Sequence, residues 1–200
     1  MTFTEKAWPI FEQVVRDYHK TDSIDAQPAN PYPPQTIEHD LYNKCWIDAA
    51  QWHMEDLIRD PEIQPEAGMA LKHRIDKSNQ DRTDLVERID SYFLMLFKDV
   101  KADGAPINTE TPAWAVDRLS ILSLKIWHMQ EQADRQDVDK AFHDKSTARL
   151  ATLKEQKQDL CGALDALLED LEAGRKRMKL YKQMKLYNDP DTNPVLYGKK

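Results

Sequence analysis

The chain has 200 residues, of which 40% are apolar and 32% charged, with only five glycines. This composition fits one soluble globular domain built from long amphipathic helices, and it excludes a disordered chain. No apolar run approaches the roughly 20 residues that cross a bilayer, and the N-terminus lacks the apolar stretch of a secretory signal, so we predict a cytoplasmic protein without a transmembrane segment. Cys45 and Cys161 match no metal-ligand spacing and are predicted to be reduced thiols.

Charge is divided unevenly between the body of the chain and its C-terminal segment. Residues 175–200 hold eight Lys or Arg residues and two Asp residues, a net charge of +6, which leaves −13 for residues 1–174. A basic segment can dock on its own acidic domain or bind an acidic partner, and we favour docking within one domain of residues 1–200. The acidic body would repel a polyanion, so nucleic acid is not an expected partner. The apolar contacts of the docked segment are expected from Met178, Leu180, Tyr181, Met184 and Tyr187.

The first half of the chain contains three segments with the three- and four-residue apolar spacing of amphipathic helices. The first covers residues 4–20. A proline-rich connector at residues 21–35 follows and is expected to lie over the bundle, although such a segment could also bind a proline-reading module. The second helix is predicted at residues 36–60, where Pro61 stops it, and the third at residues 65–100.

The second half predicts a further helix at residues 111–133, with Thr111 as its N-cap. Leucines recur at heptad spacing over residues 150–171, which predicts a packed fifth helix. The spacing of residues 178–184 suggests an additional short helix. No segment shows strand alternation or a long repeat, so the sequence predicts an all-α fold, a single-domain helical bundle of five or six helices.

A polar string, RIDKSNQDRTD at residues 74–84, interrupts the apolar stripe of the third helix. Three- and four-residue steps across this string land on Ser78 or Asn79 and then on Arg82. Because burying an unpaired guanidinium is costly, Arg82 either faces water or meets carboxylates of neighbouring helices in a polar cluster. In the second case we predict that Arg82 pairs with at least one of the carboxylates of Glu55, Asp56, Asp76 and Asp117.

A polar cluster at Arg82 would bring three helices together. As a binding site it would hold a small anionic or sugar-phosphate ligand through Arg82, with Glu55 or Asp56 as a base or a ligand of a divalent metal. The alternatives are a structural network of salt bridges and simple exposure to solvent. The candidate catalytic residues are Glu55 and Asp56, and the candidate ligand-binding residues are Asp76, Lys77, Asn79, Arg82, Asp117 and Arg118.

Other chemical motifs are absent or weak. The scattered glycines form no phosphate-binding loop and the histidines form no H-E-x-x-H motif, so the sequence predicts neither a cofactor nor a metal site. Glu87-x-x-Asp90, set against Glu55 and Asp56, weakly resembles the magnesium-binding carboxylates of helical nucleotide pyrophosphohydrolases. That enzyme class is a remote alternative for the function.

Four segments of the chain carry a resemblance to a known family: WHMEDLIRDP, LKHRIDKSNQDRTDLVERIDSYF, NTETPAWAVDRLSILSLKIWHM and YKQMKLYNDPDTNPVLYG. They are similar to the bacterial family known as domain of unknown function 4254, over about residues 3–200. The resemblance implies a compact helical cytoplasmic protein and slightly favours a link to cell-envelope glycan metabolism, and it brings no activity, catalytic residue or cofactor.

Two classes of function follow from these observations. In the first, the polar cluster binds a small anionic or sugar-phosphate ligand. In the second, the protein is a non-enzymatic interaction or structural subunit that holds a protein partner through its fifth helix and its C-terminal segment. Spare donors of Arg82 in an open pocket would favour the first class, whereas deep burial of Arg82 with every donor satisfied would favour the second.

Overall fold

Each long segment of helical apolar spacing forms a helix in the computed structural model of the protein, and the fold is all-α as predicted. The structure describes residues 1–183, 186 and 189–198. None of the described helices combines the length and the apolar character needed to cross a membrane. The helices are α1 (Phe3–Tyr18), α2 (Ile37–Leu57), α3 (Pro65–Leu96), α4 (Pro112–Ala133), α5 (Lys140–Glu172) and the short α6 (Pro194–Tyr197).

The helix α2 lies at the centre of the bundle and contacts α1, α3 and α4. Its buried residues point in nearly every direction, which is why its sequence shows only a weak amphipathic pattern. The main core lies between α1, α2 and α4, with Val86, Ile89 and Phe93 contributed by α3. The long helix α5 packs along α4 and also contacts α1.

Two aspartates fasten helices together by accepting hydrogen bonds at helix N-termini. Contrary to expectation, the side chain of the N-cap residue Thr111 does not accept a hydrogen bond from the first turn of α4. Its hydroxyl instead donates to Asp90 Oδ2 of α3 at 2.5 Å. The backbone N–H of Ala113, in the first turn of α4, donates to Asp90 Oδ1 at 3.1 Å. Likewise, the backbone N–H and hydroxyl of Thr4 in α1 donate to the carboxylate of Asp165 in α5, at 3.0 and 2.5 Å. Carboxylates suit these positions because a helix N-terminus carries partial positive charge.

The leucine stripe of α5 packs inside the bundle. Leu150, Leu164 and Leu171 are buried. The lysine that interrupts the stripe, Lys157, places its ammonium 4.1 Å from the centre of the Trp8 ring in α1, so its charge is held in a cation–π contact. The stripe is therefore a contact between helices of one chain.

The proline-rich connector lies on the bundle, as expected. The indole N–H of Trp46 in α2 donates to the carbonyl oxygen of Ala26 at 3.3 Å, and the hydroxyl of Tyr32 donates to Gln13 Oε1 of α1 at 3.0 Å. The connector is thus held by side chains from two helices.

The C-terminal segment begins by following the loop between α3 and α4. Gly174 turns the chain with a φ of +69°, and a Cβ at that position would lie 2.6 Å from the carbonyl oxygen of Lys101, so the position requires glycine. The backbone N–H of Arg177 then donates to Pro106 at 3.1 Å, and its carbonyl accepts from Asn108 at 3.1 Å.

The segment beyond Arg177 differs from the sequence expectation. Residues 178–183 do not form the predicted short helix, and Arg177 just before them is paired with the loop. Met178 packs on the core, but Tyr181 is 70% exposed and lies 5.2 Å from the Lys179 ammonium, so its predicted apolar contact with the body is wrong. Met184 and Tyr187, which were expected to supply further contacts, lie outside the described residues.

The two cysteines are both free, as predicted. Cys45 is fully buried in the core, and burial raises the pKa of its thiol to about 12. A thiol in that state is protonated and unreactive at neutral pH.

Candidate functional site

A fully buried lysine lies at the centre of the bundle. The ammonium of Lys44 in α2 contacts the carboxylate of Asp48 one turn further along the same helix, and it lies 2.8 Å from Asp117 Oδ1 of α4. None of the Lys44 side chain is exposed, and only 3–4% of each aspartate side chain is. Two helices therefore meet at a buried cation shared between two carboxylates.

The third helix adds a second cation to this cluster. Arg82 of α3 donates from Nε to Asp117 Oδ1 at 2.8 Å and from Nη2 to Asp117 Oδ2 at 2.7 Å, a bidentate pair, and its Nε lies 3.4 Å from Asp48 Oδ1. The Ser120 hydroxyl also donates to Asp48. We call Lys44, Asp48, Arg82 and Asp117 the ion cluster; its two positive and two negative charges balance.

The two carboxylates of the ion cluster respond differently to their surroundings. Burial alone would raise the pKa of Asp117, but the hydrogen bonds from Arg82 and the charge of Lys44 outweigh burial and hold that pKa below its ordinary value of 3.8. Burial raises the pKa of Asp48, and although Lys44 opposes this effect, the neighbouring charge of Asp117 reinforces it. Asp117 is therefore the better stabilised carboxylate of the two.

Polar contacts continue from the ion cluster along α2 and α3. Ser78 donates to Gln51 Oε1 at 3.0 Å, and Gln51 Nε2 donates to Asn79 Oδ1 at 2.9 Å. These bonds explain the polar string in the stripe of α3, because the polar positions of that helix face matching polar positions of α2.

An open cleft of about 270 Å³ adjoins the ion cluster between α2, α3 and α4. Arg82 reaches it with 25% of its side chain exposed, and its Nη1 has no hydrogen-bond partner in the part of the chain that the structure describes. The cleft thus combines the available Nη1 group of a guanidinium with an aromatic and aliphatic wall. Its lining residues are Asp48, Gln51, Trp52, Glu55, Asp56, Arg59, Arg82, Ile121 and Leu124.

The predicted pairing of Arg82 with a carboxylate is observed, and the partner is Asp117. Asn79 lies in the adjoining polar contacts. Glu55 and Asp56 line the cleft without contacting Arg82, and the Glu55 carboxylate is paired with Arg59 at 2.8 Å.

Three of the candidate ligand-binding residues lie apart from the cleft. Asp76 pairs with Lys72, and Lys77 pairs with Asp81 at 2.6 Å, each across one turn of the exposed face of α3. Arg118 follows Asp117 in sequence but is exposed and lines a different groove, between α4 and α5. Adjacent residues of a helix point about 100° apart, which separates these side chains from their buried neighbours.

Sequence reasoning missed Lys44, Asp48 and Ser120. Lys44 and Asp48 have the i, i+4 spacing of an ordinary exposed ion pair, and only the burial of α2 on nearly every side makes them part of the core. The available signal was their position beside the apolar residues Leu41 and Cys45, each three residues earlier.

The carboxylates of Glu87-x-x-Asp90 do not join Glu55 and Asp56. Asp90 binds the first turn of α4 at Ala113, whereas the cleft lies beside residues 121–124 of the same helix. At the rise of an α-helix, residues 113 and 124 are about 16 Å apart along the axis. The geometry therefore lacks the four converging carboxylates that the resemblance to nucleotide pyrophosphohydrolases requires.

Comparison with known proteins identifies the family of this chain. A family model described as "Protein of unknown function (DUF4254)" matches residues 38–180, which include every member of the ion cluster. No curated protein and no solved structure matches the chain. Because the family model covers well over half of the 200 residues, the chain belongs to the DUF4254 family of proteins of unknown function.

Proposed function

We propose that the protein binds a small polyhydroxylated ligand with one anionic group, such as a sugar phosphate, in the cleft between α2, α3 and α4. The observation that carries the proposal is the state of Arg82. Asp117 fixes the guanidinium through Nε and Nη2, and Nη1 is left at the cleft for an anion. A guanidinium that is already held in one orientation loses little freedom when it binds an anion. It is therefore a favourable hydrogen-bond donor to an anionic ligand.

The remaining walls of the cleft suit a sugar ring. Trp52, Ile121 and Leu124 offer apolar surface to the ring faces, while Gln51 and Asp56 can bind hydroxyl groups. A volume of about 270 Å³ lies just below the usual range of small-molecule pockets, which begins near 300 Å³. It fits a monosaccharide better than a nucleotide.

The charges of the cleft limit the ligand to one anionic group. Three carboxylates and two guanidinium groups line it, and both guanidinium groups are paired, Arg59 with Glu55 and Arg82 with Asp117. We assign the ligand's anionic group to Arg82, because its bidentate pair fixes the orientation of the guanidinium. We assign Glu55 and Asp56 as neighbours of the bound ligand rather than as catalytic groups. A sugar-phosphate ligand would fit a cytoplasmic role in cell-envelope glycan metabolism.

Calorimetric titration with glucose 1-phosphate, glucose and inorganic phosphate tests the proposal. We expect binding of the sugar phosphate to be tighter than that of either part alone, and Arg82→Gln to weaken it by about tenfold or more, as loss of a charged hydrogen bond implies. Glu55→Gln should strengthen it several-fold, because a competing negative charge is removed. Arg118→Gln, on the other side of α4, is the matched control and should bind as the parent does.

The Glu55→Gln variant keeps the experiment decisive even if Arg82→Gln folds poorly, because loss of a neighbouring negative charge should strengthen binding of an anionic ligand. Glu55 is a partly exposed residue outside the ion cluster, so its substitution leaves the fold intact. Weaker sugar-phosphate binding by Glu55→Gln, or no binding by the parent, would contradict the proposal.

An interaction subunit has less support, because the leucine stripe of α5 is already buried within the chain. Docking of residues 175–183 on the acidic body has more support: Arg177 pairs with the α3–α4 loop, and the backbone N–H of Gln183 donates to Glu87 at 3.0 Å. Truncation after Gly174 should then lower the melting temperature. Rapid tryptic trimming to about residue 175 that leaves an equally stable core would contradict docking.

A further inference from the structure

Three histidines meet where α1, α2 and α4 converge, apart from the ion cluster. His19 follows the last residue of α1, His53 lies in α2 and His128 lies in α4. Their ring centroids are 5.1–5.4 Å apart, and one ring nitrogen of each lies within 4.8 Å of those of the other two. Helices distant in sequence thus bring three imidazoles to one point.

Hydrogen bonds determine which nitrogen of two of these rings carries a proton. His19 Nδ1 lies 2.6 Å from the carbonyl oxygen of Val15, and His128 Nδ1 lies 2.9 Å from Glu131 Oε2. A carbonyl or carboxylate oxygen can only accept, so each Nδ1 is the protonated donor and the Nε2 of the neutral ring carries a lone pair. Metal-binding histidines characteristically donate their second ring nitrogen to such oxygens.

The Nε2 atoms of all three histidines are buried and have no hydrogen-bond partner among the residues described. Native proteins rarely leave buried polar atoms unpaired, and here three of them share one small space. The Asp22 carboxylate lies 3.6 Å from His53 Nε2 and adds negative charge at the edge of that space. A cation would satisfy the lone pairs of His19 and His128, together with that of His53 in its Nδ1-protonated form.

Each imidazole is also stacked on an aromatic ring. His19 stacks on Trp127 at 5.0 Å, His53 on Tyr18 at 5.1 Å and His128 on Trp52 at 4.9 Å, with interplanar angles of 28°, 13° and 17°. Stacking restricts rotation of the three rings. The aromatic residues therefore preorganise the imidazoles.

We propose that His19, His53 and His128 bind one divalent transition-metal ion, foremost Zn²⁺, through their Nε2 atoms. Imidazole nitrogen favours Zn²⁺ and its neighbours in the first transition series over Mg²⁺ or Ca²⁺. Three protein ligands leave the fourth tetrahedral position to water, as in zinc centres that activate water.

The three ring nitrogens lie farther apart than the ligands of a bound zinc ion. Metal–nitrogen bonds of 2.0–2.1 Å place tetrahedral nitrogens about 3.3 Å apart, so the separations of up to 4.8 Å must shorten by about 1.5 Å. A bound ion would have to draw the three rings together by this distance. The His53 and His128 side chains are 23% and 19% exposed, which gives an ion access to them.

This proposal is independent of the proposed ligand cleft. Trp52 lines the cleft and stacks on His128, so the two regions adjoin, but none of the three histidines lines the cleft. Metal binding is measured without a sugar phosphate, and ligand binding is measured without a metal. Either proposal can therefore fail alone.

Titration of chelator-treated, tag-free protein with Co²⁺ tests the site, because tetrahedral Co²⁺ absorbs visible light. We expect one Co²⁺ ion to bind per chain and Zn²⁺ to displace it. His19→Gln, His53→Gln and His128→Gln should each weaken binding by more than the roughly 10–100-fold that loss of a ligand's hydrogen-bond partner costs. Glu131→Gln should weaken it by about tenfold. His73→Gln and His143→Gln, which alter exposed histidines elsewhere, are matched controls and should bind normally.

Circular dichroism of the metal-free variants establishes that they are folded. If one histidine variant does not fold, the other two and Glu131→Gln, at a half-exposed position, still decide the question. The proposal is overturned if the parent binds neither Co²⁺ nor Zn²⁺ at one per chain, or if the three histidine variants bind as tightly as the parent. In either case the histidines and aromatic residues form a packing cluster only.

Discussion

The ion cluster and the three histidines share the helices α2 and α4, yet they differ in how their buried polar atoms are satisfied. In the ion cluster every charged group has a partner of opposite charge, and Lys44 is shared by two carboxylates. Among the histidines, three buried Nε2 atoms have no partner in the described chain.

The difference separates a framework from a binding site. A buried acceptor left unpaired costs about 1–3 kcal/mol, so three of them represent a substantial cost that a bound cation would remove. A balanced ion cluster has no such deficit and instead fixes the register of α2, α3 and α4. Arg82 Nη1 has no partner among the described residues, but Arg82 is partly exposed and lines the cleft, so this atom is not a buried deficit.

The largest effect should come from removing the carboxylate at the centre of the ion cluster. Asp117→Ala leaves Lys44 and Arg82 with Asp48 as their one remaining counter-ion, and loss of a partner from a buried pair costs about 3–5 kcal/mol. Urea denaturation should show this loss of unfolding free energy. A change no larger than that of Lys77→Gln, in an exposed pair of α3, would show that the cluster is not a framework.

The next largest effect on stability should come from Zn²⁺, if it binds the three histidines. At a free concentration 100 times the Kd, a bound ligand stabilises the folded state by about 2.7 kcal/mol. Thermal denaturation should therefore show a higher melting temperature with Zn²⁺ for the parent, and no rise for His53→Gln. An equal rise in both proteins would place the ion elsewhere.

Arg82→Ala should cost less than Asp117→Ala, about 2 kcal/mol, because it removes charged hydrogen bonds while Asp117 keeps its contact with Lys44. Arg82 is also partly exposed, so water replaces some of its interactions. Urea denaturation under identical conditions measures both variants. A larger loss of unfolding free energy for Arg82→Ala than for Asp117→Ala would show that Arg82, and not Asp117, is the central residue of the ion cluster.

The stability contributed by Asp117 should depend on acid pH. Its folded-state pKa lies below the ordinary value of 3.8, so this contribution is complete above about pH 4 and disappears as pH falls through the folded-state pKa. Asp117→Asn should therefore differ most from the parent near neutral pH, and the difference should shrink below pH 4, by at most about 1.4 kcal/mol per pH unit. A constant difference across this range would show that Asp117 is not held by its ionic partners.

The sequence predicted the part of the ion cluster that interrupts an amphipathic stripe. Arg82 and Asp117 occupy positions where apolar residues are expected, and they pair as predicted. Lys44 and Asp48 gave no such signal. Because α2 is buried on nearly every side, its sequence shows no clear apolar stripe that these two charged residues would interrupt.

The histidines were even less visible in the sequence, which predicted no metal site. His19, His53 and His128 come from three helices, with no local spacing that relates them, and only the packing of those helices brings their rings together. Asp76 and Lys77 show the opposite error. They are close to Arg82 in sequence, but they belong to the solvent face of α3.

The bond between Thr4 and Asp165 has a consequence for the synthesis of the chain. The two residues are 161 positions apart, so the carboxylate that binds the first turn of α1 leaves the ribosome long after that turn does. At 5–20 residues per second, the delay is roughly 8–32 s. Throughout that time α4 and, to a smaller extent, α1 lack the last long helix of the bundle, so the apolar surface that α5 covers stays open to water until synthesis is nearly complete.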